Sequence, residues 1–350
     1  YIELEDNQGS EEELHELAHE IDHLVFRSEL IMLLNKVDEE TEIVALLIGE
    51  DEDDTVLCVT DLLIHLAAEQ MDKKAAKVVE GENLDILVGS MPMGDENGED
   101  DKEKTKKYIL RILKDKYGFE EEDFMSAELE VVPAGAAREL GFDRSMIMSY
   151  GQDDRVCAYT SLMAEVEAEA PVYTTVSVYA DKEEVGSDGV AGLHSDWMEH
   201  FITYLAQMQD VNVLTALRNS KCLSADVNAC YDPTFPDVMD PRNSCYLNKG
   251  VVITKYTGAR GKSGTSDASA EYMGKIRRML NANDVVWQIG ELGKVDAGGG
   301  GTVAMYVANL DIDTIDLGVP VLSMHAPMEV VSKLDVYMAY RAFKVFFEQK

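Results

Sequence analysis

Four short apolar segments in the second half of the chain each run directly into a polar residue, a glycine or a proline. Val172 to Ala180, Val-Tyr-Thr-Thr-Val-Ser-Val-Tyr-Ala, is followed by Asp181; Lys221 to Ala225 by Asp226; Val285 to Ile289 by Gly290; Thr314 to Val319 by Pro320 and, a few residues on, His325. The β-branched and aromatic content of the first predicts a buried strand, and the other three repeat its pattern. Helical patterns alternate with them from about Asp154 onward, which predicts an α/β sheet with crossover helices. Ligands in open α/β sheets bind beyond the carboxyl ends of the strands. The polar residues at these four ends are therefore the place to seek a site.

Two helices frame that sheet. One follows Gly151 and turns Val156, Tyr159, Leu162, Met163 and Val166 inward, with Asp153 and Asp154 at or near its N-cap. The other covers the carboxyl end, 330–347, with Leu334, Tyr337, Met338, Phe343 and Phe347 as its packing residues. Between about Glu42 and Val132 the pattern changes. A helical stretch with Leu62, Leu63 and Leu66, a strand-like Leu84–Val88, and an amphipathic helix with the stripe Ile109, Ile112, Leu113 and Tyr117 ending near Gly118 predict a separate small α/β module.

Charge excludes some partners. Acidic residues number 67 against 31 basic ones, a formal charge of -36, which repels phosphate backbones and anionic lipid headgroups. Neither nucleic acid nor a membrane is an expected partner. Blocks such as Glu11 to Glu13, 49–54 and 94–103 read as solvated faces and loops. No apolar run approaches the ~20 residues of a membrane span. The opening Tyr-Ile-Glu-Leu-Glu-Asp has neither the basic start nor the apolar run of a signal peptide, so a reducing cytoplasm is expected. The absence of an initiator Met suggests that this is not the native start. Cys58, Cys157, Cys222, Cys230 and Cys245 are odd in number and form no CxxC pair, which argues against a disulfide framework or a zinc ribbon.

The strand ends carry a chemically suggestive set. Glu183 and Glu184 are adjacent, so their side chains point different ways, and one can ligate a cation while the other serves as a general base. Taken alone, such a pair is usually solvated. Asp153, Asp226 and His325 add carboxylates and an imidazole, a donor mixture suited to zinc, manganese or cobalt. Three other motifs are weaker. His15-Glu16-Leu-Ala-His19, with His23 beyond it, fits HExxH on a helix, yet it lies in an acidic opening segment without the surrounding domain such an enzyme needs. Gly258-Ala-Arg-Gly-Lys262-Ser263 has two residues between its glycines where a phosphate-binding loop has four. His194-Ser-Asp196 reads as a helix start.

The strings Tyr150-Gly-Gln-Asp-Asp-Arg-Val-Cys-Ala-Tyr159, Asp181-Lys-Glu-Glu-Val-Gly-Ser187, Leu223-Ser-Ala-Asp-Val227, Gly293-Lys-Val-Asp-Ala-Gly-Gly-Gly-Gly-Thr302 and Gly318-Val-Pro-Val-Leu-Ser-Met-His325 occur in this order. Together they resemble the aspartyl aminopeptidases, especially the bacterial branch. The likeness runs from roughly Ile48 to the carboxyl terminus, about five-sixths of the chain. It implies an α/β/α sandwich catalytic domain over 133–350, a smaller inserted dimerisation domain over 41–132, and an unmatched acidic segment over 1–40. It also implies removal of an acidic or neutral amino-terminal residue from peptides by two zinc ions per subunit, with manganese or cobalt as alternatives. Asp153 would bridge the ions, Glu184 and His325 would complete the second site, Asp226 would ligate the first metal, and Glu183 would be the general base. Gly299, Gly300 and Thr302 in the glycine run, and His65 in Ile64-His65-Leu66-Ala67, are the implied substrate-binding positions. Arg260 or Lys262 would help attract acidic peptide ends. Subunits would pair through the insertion and assemble into a tetrahedral dodecamer.

One family feature has no match. The first metal ligand in the family is a histidine in a Gly-x-His-x-Asp-Ser-Pro segment before the insertion, and this sequence contains no such segment. Asp153, Glu184 and His325 suffice for one ion. The sequence thus leaves two alternatives to the active peptidase: a catalytically impaired assembly subunit, and a zinc protease built on His15 and His19.

Overall fold

The computed structural model describes residues 48–49, 53–94, 103–258, 264 and 266–349. The first forty residues, with His15, His19 and His23, lie outside these, as do Arg260 and Lys262. The chain divides into two compact units with a break after Ala136.

In the smaller unit, β1 (Cys58–Val59) pairs antiparallel with β2 (Ile86–Leu87). The helical stretch expected around Leu62 reduces to a 3-10 turn, Ile64–Leu66, and a single helical turn, α1 (Ala68–Met71). No side chain caps either one, and Leu62, Leu63 and Leu66 stay exposed. Without an apolar face to bury, nothing drives a longer helix. The expected amphipathic helix forms as α2 (Lys104–Tyr117) and stops at Gly118, whose φ of 81° supplies the left-handed C′ position. Leu113 and Tyr117 from its stripe pack on buried Phe119.

The larger unit carries two sheets. The first, in the order β5-β9-β7-β8, contains β5 (Lys221–Ser224), β7 (Val251–Thr254), β8 (Trp287–Ile289) and β9 (Asp313–Gly318). The pairs β5 with β9 and β7 with β8 are parallel, while β7 and β9 run antiparallel. Strand alternation divides the core. Leu223, Val251, Ile253, Ile315 and Leu317 face one helical layer, α3 (Gln152–Val166), α6 (Ala270–Ala282) and α8 (Lys333–Phe347), whose buried residues include Cys157, Ile276, Leu280, Ala339 and Phe343. Cys222 faces the other way, toward Leu193, Met198, Leu217 and Val307 on and around α4 (Trp197–Met208), α5 (Val213–Asn219) and α7 (Ala304–Ala308). Helices on both faces make the α/β/α sandwich expected from the sequence.

The second sheet has the order β3-β4-β11-β10-β6, from β3 (Arg138–Leu140), β4 (Met146–Ser149), β6 (Asn228–Ala229), β10 (Pro320–Leu322) and β11 (Glu329–Ser332). Only β10 and β6 run parallel.

Two elements depart from expectation. Val172–Ala180 forms no strand and joins no ladder among the described residues; Val178 and Ala180 pack against the Leu193 cluster, while Val172, Tyr173 and Tyr179 are exposed. The carboxyl-terminal helix begins at Lys333 because Val330 and Val331 are taken into β11, and Ser332 then caps the helix by accepting from the Leu334 N–H. Among the described residues no helix is long and apolar enough to cross a membrane.

Candidate metal centre

The site forms where three loops leave the sheets and a fourth, carrying Glu183 and Glu184, follows the unpaired segment Val172–Ala180. Strand β4 ends at Ser149, and Tyr150 and Gly151 turn the chain into α3. Gly151 sits at φ 64°, and Asp153 and Asp154 occupy the first turn with non-helical backbones, φ -83°, ψ 108° and φ -117°, ψ 26°. Their carboxylates are therefore not simply caps on a regular helix. His325 follows β10 with φ 63°. Glu183 and Glu184 sit in a turn closed by the Ser187 N–H to Lys182 carbonyl bond of 2.7 Å. Asp226 follows β5 and precedes β6. A Cβ on Gly318 would stand 1.8 Å from the Asp226 carbonyl oxygen. The end of β9 and the Asp226 loop thus approach to a distance that only glycine permits.

Residues far apart in sequence converge there. His325 Nε2 is 2.9 Å from Asp153 Oδ2 and 3.1 Å from Glu184 Oε1. Ligand atoms of Asp153, Glu184 and His325 all lie within 4.8 Å of one another, and so do those of Asp153, Asp154 and Asp226. Asp153 belongs to both groups. One group offers an imidazole and two carboxylates, which suits zinc; the other is all oxygen.

The electrostatics favour a cation. Burial, then Glu184, pushes Asp153 up to about 6, with His325 opposing the shift. Burial and Asp226 push Asp154 well above the usual carboxylate range, and burial and Asp316 do the same to Asp226. Burial, followed by Glu184, also raises Glu183. These are carboxylates held close together and short of water, the arrangement in which like charges disfavour ionisation and a positive ion restores it. Asp154 Oδ1 is sealed from solvent with no hydrogen-bond partner. The residues present fit a metal ion.

Three participants were not picked out from the sequence as site residues. In the sequence Asp154 reads as a helix cap. Asp316 lies within β9, where burial pushes it up to about 6 while Ser224 and Thr302 pull it back; a lone carboxylate inside an apolar strand was the available signal. Glu329, buried at the start of β11, accepts the Asp153 N–H on Oε2 at 2.9 Å and the His325 N–H on Oε1 at 2.6 Å. A glutamate heading a β-branched strand gave little warning of this.

The remaining expected positions divide. Thr302 lowers the pKa of Asp316 and accepts the Ala304 N–H at 3.3 Å. Gly299 donates to the Leu292 carbonyl at 2.7 Å, and Gly300 accepts from the Gly258 N–H at 2.8 Å, so the backbone of the glycine run is held both locally and by the loop at Gly258. His65 is exposed on the 3-10 turn of the smaller unit. His194 holds Asp188 at 2.9 Å, and Asp196 precedes α4, the helix start expected there.

Comparison with known proteins bears on this geometry. The family model described as aminopeptidase I zinc metalloprotease (M18) matches residues 30–347. The probable M18 family aminopeptidase 1 of Clostridium acetobutylicum is 50% identical over 314 residues, which is 89% of this chain and 67% of that protein. The chain thus spans about two thirds of that relative's length. The crystal structure of the M18 family aminopeptidase from Thermotoga maritima superposes with a TM-score of 0.85 at 41% identity, covering 92% of this chain and 71% of that one. The structure of the mApe1 dodecamer of Saccharomyces cerevisiae shares the fold, with a TM-score of 0.63 at 21% identity over 91% of this chain and 68% of that one. With the family model covering most of its length, the chain belongs to the M18 family of zinc metalloaminopeptidases.

Proposed function

We propose that this chain removes the amino-terminal residue of peptides at a two-metal centre bridged by Asp153. The observation that carries this reading is the place of Asp153 in both ligand groups. Glu184 and His325 would hold one ion and Asp226 the other. When bound, the ions supply Lewis acidity toward a carbonyl oxygen and toward water. Glu183 accepts the proton of the attacking water and returns it to the leaving amine. Burial and then Glu184 raise its pKa, the direction in which a carboxylate becomes a better proton acceptor. Zinc is the resident metal of this reading, with manganese or cobalt able to use the same donors.

Peptides with acidic or neutral first residues are the proposed substrates, with Gly299, Gly300, Thr302 and His65 contributing to their binding. The 41–132 module pairs subunits, and the pairs build a tetrahedral dodecamer. A reducing cytoplasm belongs to the same proposal and suits the five free cysteines. A second reading, an impaired subunit that assembles without turning over peptide, draws on the missing Gly-x-His-x-Asp-Ser-Pro segment. Zinc content and release of acidic and neutral amino-terminal residues from short peptides, measured on one preparation, separate the two. About two ions with turnover supports the peptidase, and assembly without ions or turnover supports the impaired subunit.

A further inference from the structure

Glu329 stands where two ligand-bearing loops meet. Its register partner across the ladder is Ser149, the last residue of β4 before the turn into Asp153. Four residues upstream of it is His325. Burying a carboxylate is costly unless its oxygens are hydrogen-bonded, and Glu329 is only 2% exposed. Its two oxygens are used separately. Oε2 takes the Asp153 N–H at 2.9 Å and Oε1 takes the His325 N–H at 2.6 Å. One rigid planar group therefore sets the spacing between the backbones of two residues 172 positions apart in sequence, numbers 153 and 325.

The backbone on the histidine side needs such a restraint. Ser323 and His325 lie at φ 57° and φ 63°, a region that costs a residue with a side chain free energy and persists only where the surroundings hold it. Releasing the His325 N–H would let that turn relax and carry the imidazole away from Asp153. A buried anion behind both ligands also adds negative potential where a cation is to be held. A residue serving only to fill the strand would need neither the charge nor two oriented acceptors.

We propose that Glu329 is a positioning residue of the metal centre, clamping Asp153 and His325 through their amides so that their side chains present a preformed ligand pair. The proposal rests on the reading of Asp153 and His325 as metal ligands. Glu329 itself touches neither metal nor substrate.

The probe is Co2+, titrated into the metal-free 350-residue chain and followed by visible absorption and calorimetry, with the E329Q variant alongside. Gln keeps the shape but offers one oxygen, and it turns an NH2 donor toward one of the two N–H groups. The expected result is Co2+ binding about 10–100-fold weaker, the usual scale for losing a residue that orients a ligand. The Co2+ absorption bands should change, and the rise in Tm on metal loading should shrink relative to the metal-free variant's own Tm. A purely structural role would lower the metal-free Tm and leave affinity and bands as they are, and that result overturns the proposal. Should E329Q not fold, hydrogen exchange on the wild-type chain decides. Slow exchange of the Asp153 and His325 amides without metal supports the clamp, and fast exchange overturns it. A wild-type chain that binds no Co2+ overturns the metal-centre reading and the clamp with it. Wild-type binding with an unaffected E329Q overturns the clamp alone.

Discussion

His325 Nε2 stands 2.9 Å from Asp153 Oδ2, although one residue follows β10 and the other opens α3. Asp153 is also one of the three carboxylates grouped around Asp226. Removing its side chain takes one donor from each group. Asp153→Ala should therefore lose both ions, read as zinc per chain by elemental analysis after dialysis. Retention of two would remove Asp153 from the bridge.

Glu183→Gln separates base from ligands. Turnover should fall by roughly 10²–10⁴, the range for losing a general acid-base group, while zinc per chain stays at the wild-type value. Turnover at the wild-type rate would take Glu183 out of the mechanism.

Gly318→Ala tests the close approach that places Asp226. The added Cβ would fall 1.8 Å from a backbone oxygen, so the β9 end or the Asp226 loop must move, at a cost of at least about 1–3 kcal/mol. A lower Tm with reduced zinc content is expected. An unchanged Tm would mean that the two segments are not so tightly packed.

The sign of the pH dependence follows from burial. Asp153 and Asp316 are each pushed up to about 6 in the folded chain, from an ordinary value of 3.8. Between those values the folded state binds more protons than the unfolded one, so stability falls as pH rises. Metal-free protein should therefore have a lower Tm at pH 7 than at pH 5, with the loss concentrated between about pH 4 and 6. Zinc should reduce the difference, because a bound cation favours the ionised carboxylates. Melting curves across that range with and without metal check this, and a metal-free Tm that climbs with pH would contradict it.

Apolar runs that stop at polar residues mark the ends of β5 and β9, while the grouping of Asp153, Glu184 and His325 comes from five ordered motifs that resemble a known family. The sequence misleads where local pattern and tertiary surroundings disagree. Val172–Ala180 has strong β propensity, but propensity describes a side chain's fit to a pleated surface, and a ladder also needs a neighbour. Leu62, Leu63 and Leu66 repeat at helical spacing yet bury nothing, so the period had no face to stabilise. Glu329 heads a β-branched run and reads as an ordinary strand residue; its burial comes from pairing with β4 and from two amides that no sequence window contains. Asp316 is the one carboxylate between the apolar residues of β9, and that position is its only signal in the sequence.

The most direct measurement is anomalous scattering at the zinc edge from crystals of the zinc-loaded chain. The account predicts two peaks about 3.5–4 Å apart, the spacing of two-metal sites, with a carboxylate oxygen of Asp153 bound to each. No peak at this cluster, or a single ion bound without Asp153, would contradict it.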